Sequence, residues 1–261
     1  MEQKLKEFQR LLEIMDRLRV ECPWDKKQTN ETLRTLTIEE TFELADAILE
    51  NKDDEIKKEL GDLLLHIVFY AKIGEEKGKF GISDVINSIN DKLIFRHPHI
   101  FGDVKVDSAE NVADNWERLK LKEENGENKK TVLGGVPKSL PAMVKACRIQ
   151  DKASHVGFDW EEKEQVWDKI KEEYEELQVE INKDDKDKIE SEFGDLFFAL
   201  VNAARLYGVN PENALEKTNK KFIFRFNHLE SKTISEGKDL KDMTLADMDK
   251  IWNEAKSLEK E

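Results

Sequence analysis

The chain has little of what bends or cross-links a fold. Only two cysteines, Cys22 and Cys147, occur in 261 residues. They form no close pair, so neither a disulfide framework nor a paired-cysteine metal site is expected. Reduced thiols in a cytoplasmic protein fit that usage. Five prolines and twelve glycines leave long segments without a helix breaker. No apolar run approaches the roughly 20 residues of a membrane span. The opening stretch MEQKLKEFQRLLEIMDRL is charged and amphipathic and lacks the apolar core of a secretory signal. Positive charge is also short: 43 Lys and Arg stand against 57 Asp and Glu, a formal net charge of −14. Such a chain is a poor clamp for a polyanion, so neither a nucleic-acid polymer nor a membrane is expected as a partner. A small anionic ligand stays open if a metal bridges it to carboxylates.

What is abundant is Glu, Lys, Leu and Ala, the residues that favour helix, while strand-type alternation is scarce. The expectation is an all-α chain built as two tandem helical-bundle domains. The stretch KEENGENKKTVLGGVPKSLP (122–141) interrupts the helical pattern with polar residues, a Gly-Gly pair and two prolines. It sets expected domains at 1–124 and 138–261 with a linker at 125–137. The halves repeat each other. EETFEL at Glu39–Leu44 recurs as EEYEEL at Glu172–Leu177, and ELGD at Glu59–Asp62 as EFGD at Glu192–Asp195. Both pairs are offset by 133 residues, since 172 − 39 and 192 − 59 agree. NDKLIFR (Asn90–Arg96) returns as NKKFIFR (Asn219–Arg225), and NWERLK (Asn115–Lys120) as IWNEAK (Ile251–Lys256). CPWD (Cys22–Asp25) has a looser echo in GFDW (Gly157–Trp160).

On a helix at about 100° per residue, Glu39, Glu40 and Glu43 share an arc of about 100°. Ile38, Phe42, Ala45, Ile48 and Leu49 occupy another arc, the one expected to pack. On the next helix Glu59 and Asp62 lie at i and i+3, on one face. Leu63–Phe69 is apolar all round except for His66, which places that helix inside a bundle and Asp62 at the edge of its interior. Asp195 stands in the same relation to Leu196–Ala204. Gly61 and Gly194 each weaken a helix by about 1 kcal/mol relative to Ala, and their recurrence predicts close helix approach at one spot. Four carboxylates converging from two antiparallel helices cannot all stay charged without a cation. A hard divalent ion with oxygen ligands answers the need, and Mg²⁺ is the natural candidate. A single EExxE is common on a solvated face; the linked pattern of EExxE, fifteen residues, then ExxD, found twice at equal spacing, is far more specific. A di-iron bundle wants Glu-x-x-His on two helices. Here the nearby histidine is His66, and its counterpart is Ala199, which disfavours imidazole ligation.

Cations follow the carboxylates in both halves. Lys221 and Arg225 are four residues apart, as are Lys92 and Arg96. Lys188 precedes Glu192 by four, and Lys256 follows Trp252 by four. Carboxylates holding Mg²⁺, with Lys and Arg beyond them, make the charge layout of a polyphosphate site. For the Lys/Arg pairs the plain alternative is a solvated helix face. For Trp116 and Trp252 it is ordinary packing, against stacking on a base or closing the pocket.

Across essentially the whole chain these motifs resemble the MazG family of nucleoside triphosphate pyrophosphohydrolases. CPWD, EETFEL, ELGD, FRHPHIFGD (Phe95–Asp103) and NWERLK carry the resemblance in the first half. GFDW, EEYEEL, EFGD, the Lys221/Arg225 pair and Trp252 carry it in the second. The resemblance implies tandem all-α domains, a homodimer, and Mg²⁺-dependent hydrolysis of nucleoside triphosphates to monophosphate and pyrophosphate. It also implies broad base tolerance and a role in clearing aberrant nucleotides or in stress. It assigns one or more Mg²⁺ to Glu173, Glu176, Glu192 and Asp195, with Glu172 orienting or deprotonating the water. Lys188, Lys221 and Arg225 are then phosphate contacts, and Trp252 and Lys256 complete the nucleotide pocket. Lys169, Glu172, Glu192 and Asp195 also count among the nucleotide-binding candidates. The C-terminal domain is expected to carry the activity. Because Glu39, Glu40, Glu43, Glu59, Asp62, Lys92, Arg96, Trp116 and Lys120 are all present, a second site in the N-terminal domain is expected as a possibility. Two other readings remain: a narrow pyrophosphatase for dUTP or phosphoribosyl-ATP, and a non-catalytic acidic helical interaction protein.

Overall fold

The computed structural model describes residues 1–106, 108, 111–112, 115–116, 119 and 131–258. Lys120 and positions 125–130 of the expected linker lie outside the described residues. The expected all-α architecture holds: among the described residues there are helices and no strand. None of these helices is long and apolar enough to cross a membrane. The chain divides into two compact units, Met1–Lys120 and Leu121–Glu261.

The first unit contains α1 (Glu2–Glu21), α2 (Asn30–Leu49), α3 (Asp53–Glu76), α4 (Ile82–Arg96) and the single turn α5 (Pro98–Phe101). The second contains α6 (Ala142–Ser154), α7 (Val166–Lys183), α8 (Lys186–Leu206), α9 (Pro211–Ser235) and α10 (Leu245–Leu258). Each unit is organised on a helix hairpin: α2 packs on α3, and α7 on α8. Local chemistry sets the hairpin ends. Thr29 caps α2 by accepting from the Thr32 N–H, and Thr32 returns the bond to the Thr29 N–H, a reciprocal cap that satisfies two otherwise orphaned donors. Asp185 caps α8 through the Lys188 N–H. Each hairpin turn passes through one left-handed residue, Asn51 at φ 54° and Asp184 at φ 55°. These two are also 133 apart, and Asn and Asp are the non-glycine residues that best tolerate that conformation.

The first core joins Met15 of α1, Leu33 of α2 and Val68, Phe69 and Ile73 of α3. Burying each such side chain contributes about 1.5–3 kcal/mol. In the second unit α6 takes the place of α1 against the hairpin, and the buried apolar residues are Val166, Leu177, Ala199, Val201, Ala203, Leu229, Ile251 and Ala255.

Two sequence expectations fail here. Leu64 and Ile67 in the first unit, and Phe197 and Leu200 in the second, are exposed. Among the described residues, then, α1 or α6 covers one side of each hairpin, and apolar side chains of α3 and α8 on another side stay exposed. Ile38, Phe42 and Ile48 of α2 are exposed for the same reason. A methyl group added at Gly61 or Gly194 would meet nothing within 4 Å, so no close helix approach accounts for those glycines.

Candidate metal centre and adjoining cavity

The α7–α8 hairpin brings one oxygen each from Glu173, Glu192 and Asp195 within 4.8 Å of one another. Glu173 comes from α7, the other two from α8, so the grouping depends on the hairpin register. Glu173 is buried, whereas Asp195 is exposed. Loss of solvent pushes the Glu192 carboxyl up, and repulsion from Glu176, Asp195 and Glu173 adds to it. Glu176 thus borders the group electrostatically. A cation already sits on the cluster: Lys169 Nζ lies 2.6 Å from Glu173 and 2.9 Å from Glu172. Those bonds, Glu173's first, hold the Lys169 ammonium well above its ordinary value.

The first unit repeats the arrangement with a different trio. Glu40 and Glu43 of α2 and Glu59 of α3 bring oxygens within 4.8 Å of one another. Burial raises the Glu40 carboxyl, with repulsion from Asp62, Glu43 and Glu59 behind it. The lysine on this cluster is Lys58, 2.8 Å from Glu59 Oε1; Glu59 Oε2 is buried with no hydrogen-bond partner. Glu39 is exposed beside the group. His66 is buried on the same helix, and that burial holds its imidazole below the usual value.

Among the basic and aromatic candidates, two arginines meet tryptophan rings. The Arg225 guanidinium stands over the Trp252 ring at 5.7 Å, and Phe222 meets that ring edge-on at 4.9 Å. Arg96 over Trp116, also at 5.7 Å, repeats the contact in the first unit. Both Trp rings therefore hold an arginine. Lys221, Lys256 and Lys92 are exposed. Lys188 lies at the hairpin end, 3.7 Å from Asp185 and 4.0 Å from Glu180, rather than on the carboxylate trio.

Beside the second carboxylate group a cavity of about 650 Å³ opens among α6, the 157–160 segment, α7 and α8. Lys169, Glu173 and Asp195 form its charged side, and Phe158, Trp160 and Ala199 belong to its apolar side. Arg205 and Asp159 brace it, with Nη2 2.5 Å from Oδ1, and Arg205 also donates to Asn202. Burial raises the Asp159 carboxyl, but the Arg205 bond and the Trp160 N–H outweigh it and leave Asp159 below its ordinary value. The GFDW motif was visible in sequence as a weak repeat, without a role; the cavity supplies one. Gln150 and Arg205 gave no local signal, because their importance comes from packing between helices far apart in sequence.

Family comparison agrees with this duplicated geometry. The model of the MazG nucleotide pyrophosphohydrolase domain matches twice, at residues 28–101 and 161–230. Each match takes in one carboxylate hairpin. A Thermotoga maritima protein named nucleoside triphosphate pyrophosphohydrolase/pyrophosphatase MazG is 44% identical over 95% of both chains. An Escherichia coli nucleoside triphosphate pyrophosphohydrolase is 40% identical over 98% of this chain and 99% of its own length. A Bacillus subtilis protein named YabN is 47% identical over 92% of this chain, which covers 49% of that longer relative. With two domain matches and full-length relatives, the chain belongs to the MazG nucleotide pyrophosphohydrolase family.

Proposed function

We propose that the chain hydrolyses nucleoside triphosphates to nucleoside monophosphate and pyrophosphate, with Mg²⁺, at the carboxylate group of the second unit. The observation that carries this is the trio Glu173, Glu192 and Asp195, of which Glu173 and Asp195 line a ligand-sized cavity. The donor set fits the ion. Oxygens sharing an octahedral Mg²⁺ with bonds of about 2.1 Å stand within roughly 4.2 Å of each other, and the three oxygens here lie within 4.8 Å. All donors are carboxylates, and loss of solvent, with repulsion from Glu176, Asp195 and Glu173 behind it, raises the Glu192 carboxyl. Glu173, Glu176, Glu192 and Asp195 would hold one or more ions, which supply neutralisation of phosphate oxygens and acidification of water.

The chain's own groups do the rest. Glu172, tied to Lys169, accepts the proton of the attacking water. That water adds to the α-phosphorus, the bond from it to the bridging α–β oxygen breaks, and pyrophosphate leaves. Lys169 exchanges its carboxylate partners for phosphate oxygens, and Lys188, Lys221, Arg225 and Lys256 add positive charge around the polyphosphate. Trp252 holds Arg225 in place through the ring contact. Base tolerance is broad, and the physiological role is nucleotide-pool clearance or stress response in the cytoplasm. The open apolar sides of the two hairpins support a homodimer. The domains are 1–124 and 138–261, with 125–137 as linker, and the second carries the catalytic centre in this reading.

The test is product identity. Incubation with each nucleoside triphosphate, with and without Mg²⁺, in ¹⁸O-water should give ¹⁸O-labelled monophosphate and unlabelled pyrophosphate, only with the ion. Diphosphate plus inorganic phosphate would overturn the assignment. Turnover of dUTP alone among the nucleotides would replace broad tolerance with a narrow pyrophosphatase.

A further inference from the structure

The cavity of the second unit contains a polar atom that its own protein leaves without a partner. Gln150 of α6 lines the cavity and is 6% exposed. Its Nε2 donates to the Phe198 carbonyl at 2.8 Å, which fixes the amide so that Oε1 is the unpaired atom. A buried acceptor without a donor bears the full cost of its lost hydration, and native proteins keep few of them. In the same lining stand Phe158, 82% exposed, and Trp160. Exposed aromatic faces at a ligand-sized cavity are stacking surfaces for planar rings.

We propose that this cavity takes the base of the nucleoside triphosphate, with a base N–H donating to Gln150 Oε1 and an aromatic ring of the 158–160 segment stacking on it. The inference rests on the triphosphate reading of the adjoining carboxylates. Adenine, guanine, cytosine and uracil each carry at least one N–H donor on the base edge, so a lone acceptor admits them all. A purine without such a donor leaves the acceptor orphaned and is rejected.

The first unit supplies an internal contrast. At the 133-residue offset, Leu33, His66 and Phe69 stand where the second unit has Val166, Ala199 and Asn202. Leu33 and Phe69 belong to the first unit's core, and His66 is buried as well. Val166 and Ala199, also buried, line the cavity together with Asn202. The duplication therefore kept both carboxylate groups but left small or polar side chains in only one copy at the positions that make room for a base.

Steady-state kinetics of the full chain with ATP and with purine riboside triphosphate, which lacks the exocyclic amino group, tests the proposal. Wild type should favour ATP by about tenfold in kcat/KM. Gln150→Leu should erase that preference, mainly through KM. Ala199→Leu, which only adds bulk to the cavity, should raise KM for both substrates by about tenfold, and it decides the matter if Gln150→Leu does not fold by circular dichroism. Retention of the ATP preference in a folded Gln150→Leu chain, or an unchanged KM in Ala199→Leu, would overturn the base site. Continued pyrophosphate release would then leave the triphosphate reading standing. If wild type releases pyrophosphate from neither substrate, both readings fall.

Discussion

The two units hold the same four carboxylates in register and arrange them differently. Glu40, Glu43, Glu59 and Asp62 correspond to Glu173, Glu176, Glu192 and Asp195 at the 133-residue offset. In the first unit Glu43 joins the close trio and Asp62 stands beside it; in the second Asp195 joins and Glu176 stands beside it. The attached lysine also differs. Lys58 reaches Glu59 from the neighbouring position on α3, whereas Lys169 reaches Glu173 along α7. Lys169 also lines the cavity, and its counterpart in the first unit is Leu36, packed against the core. A ligand set alone therefore does not separate the two copies. What separates them is the space next to it and the cation that faces that space.

The largest effect comes from removing one carboxylate from each copy. Glu173→Gln should lower the rate of pyrophosphate release by roughly a thousandfold, about 4 kcal/mol of transition-state stabilisation. The matched change in the first unit, Glu40→Gln, should leave the rate within about twofold. Pyrophosphate release measured on both variants checks the contrast, and a reversed pattern would place the chemistry in the first unit. Loss of about half the rate in each variant would mean that each copy is active.

The lysines sharpen the same comparison at smaller amplitude. Lys169→Met removes a phosphate partner but also frees Glu173 and Glu172 from their ammonium. The KM for triphosphate should rise by about tenfold, equivalent to about 1.4 kcal/mol, while the Mg²⁺ concentration for half-maximal rate falls or stays level. Lys58→Met should change neither quantity. A rise in the Mg²⁺ requirement of Lys169→Met would show that the lysine supports the ion rather than competing with it.

Much of this was legible in the chain itself. Helix-forming composition, scarce Pro and Gly, and the EExxE/ExxD repeat were enough for an all-α duplicate with paired carboxylates, because those signals are local or recur at a constant offset. The uncovered faces of α3 and α8 were not legible, since an apolar run does not say which of its sides the same chain covers. Gly61 and Gly194 misled for a related reason: a helical glycine signals close approach only when a neighbour is there. The cavity was hidden because it depends on what is absent at Ala199, Asn202 and Val166, and because Gln150 reaches Phe198 and Asp159 reaches Arg205 across more than forty residues of sequence. The Arg96–Trp116 and Arg225–Trp252 pairs were visible as separate residues, but not as contacts.

The smallest expected effect concerns a half-buried arginine–carboxylate pair found in each unit. Arg205 and Asp159 have side chains 15% and 25% exposed; Arg19 and Glu76 have 9% and 38%. Both carboxyls lie below their ordinary values. For Glu76 the Arg19 hydrogen bond is the leading cause, whereas for Asp159 the Arg205 bond works against burial. A carboxyl lowered on folding binds fewer protons in the native state than in the unfolded one, so stability rises with pH across the interval between the two values. The contribution is complete above the unfolded values of about 3.9 for Asp and 4.3 for Glu, and it is lost as pH falls through the folded ones. Partial exposure limits each pair to about 1 kcal/mol. Melting midpoints recorded from pH 6 down to pH 3 should therefore fall less steeply for Asp159→Asn and for Glu76→Gln than for wild type. Only Asp159→Asn should also raise the KM for triphosphate at neutral pH, because only that pair braces the cavity. An Asp159→Asn chain that kept the wild-type acid slope would show that its ion pair makes no net contribution. A Glu76→Gln chain with an altered KM would show that the brace is not peculiar to the second unit.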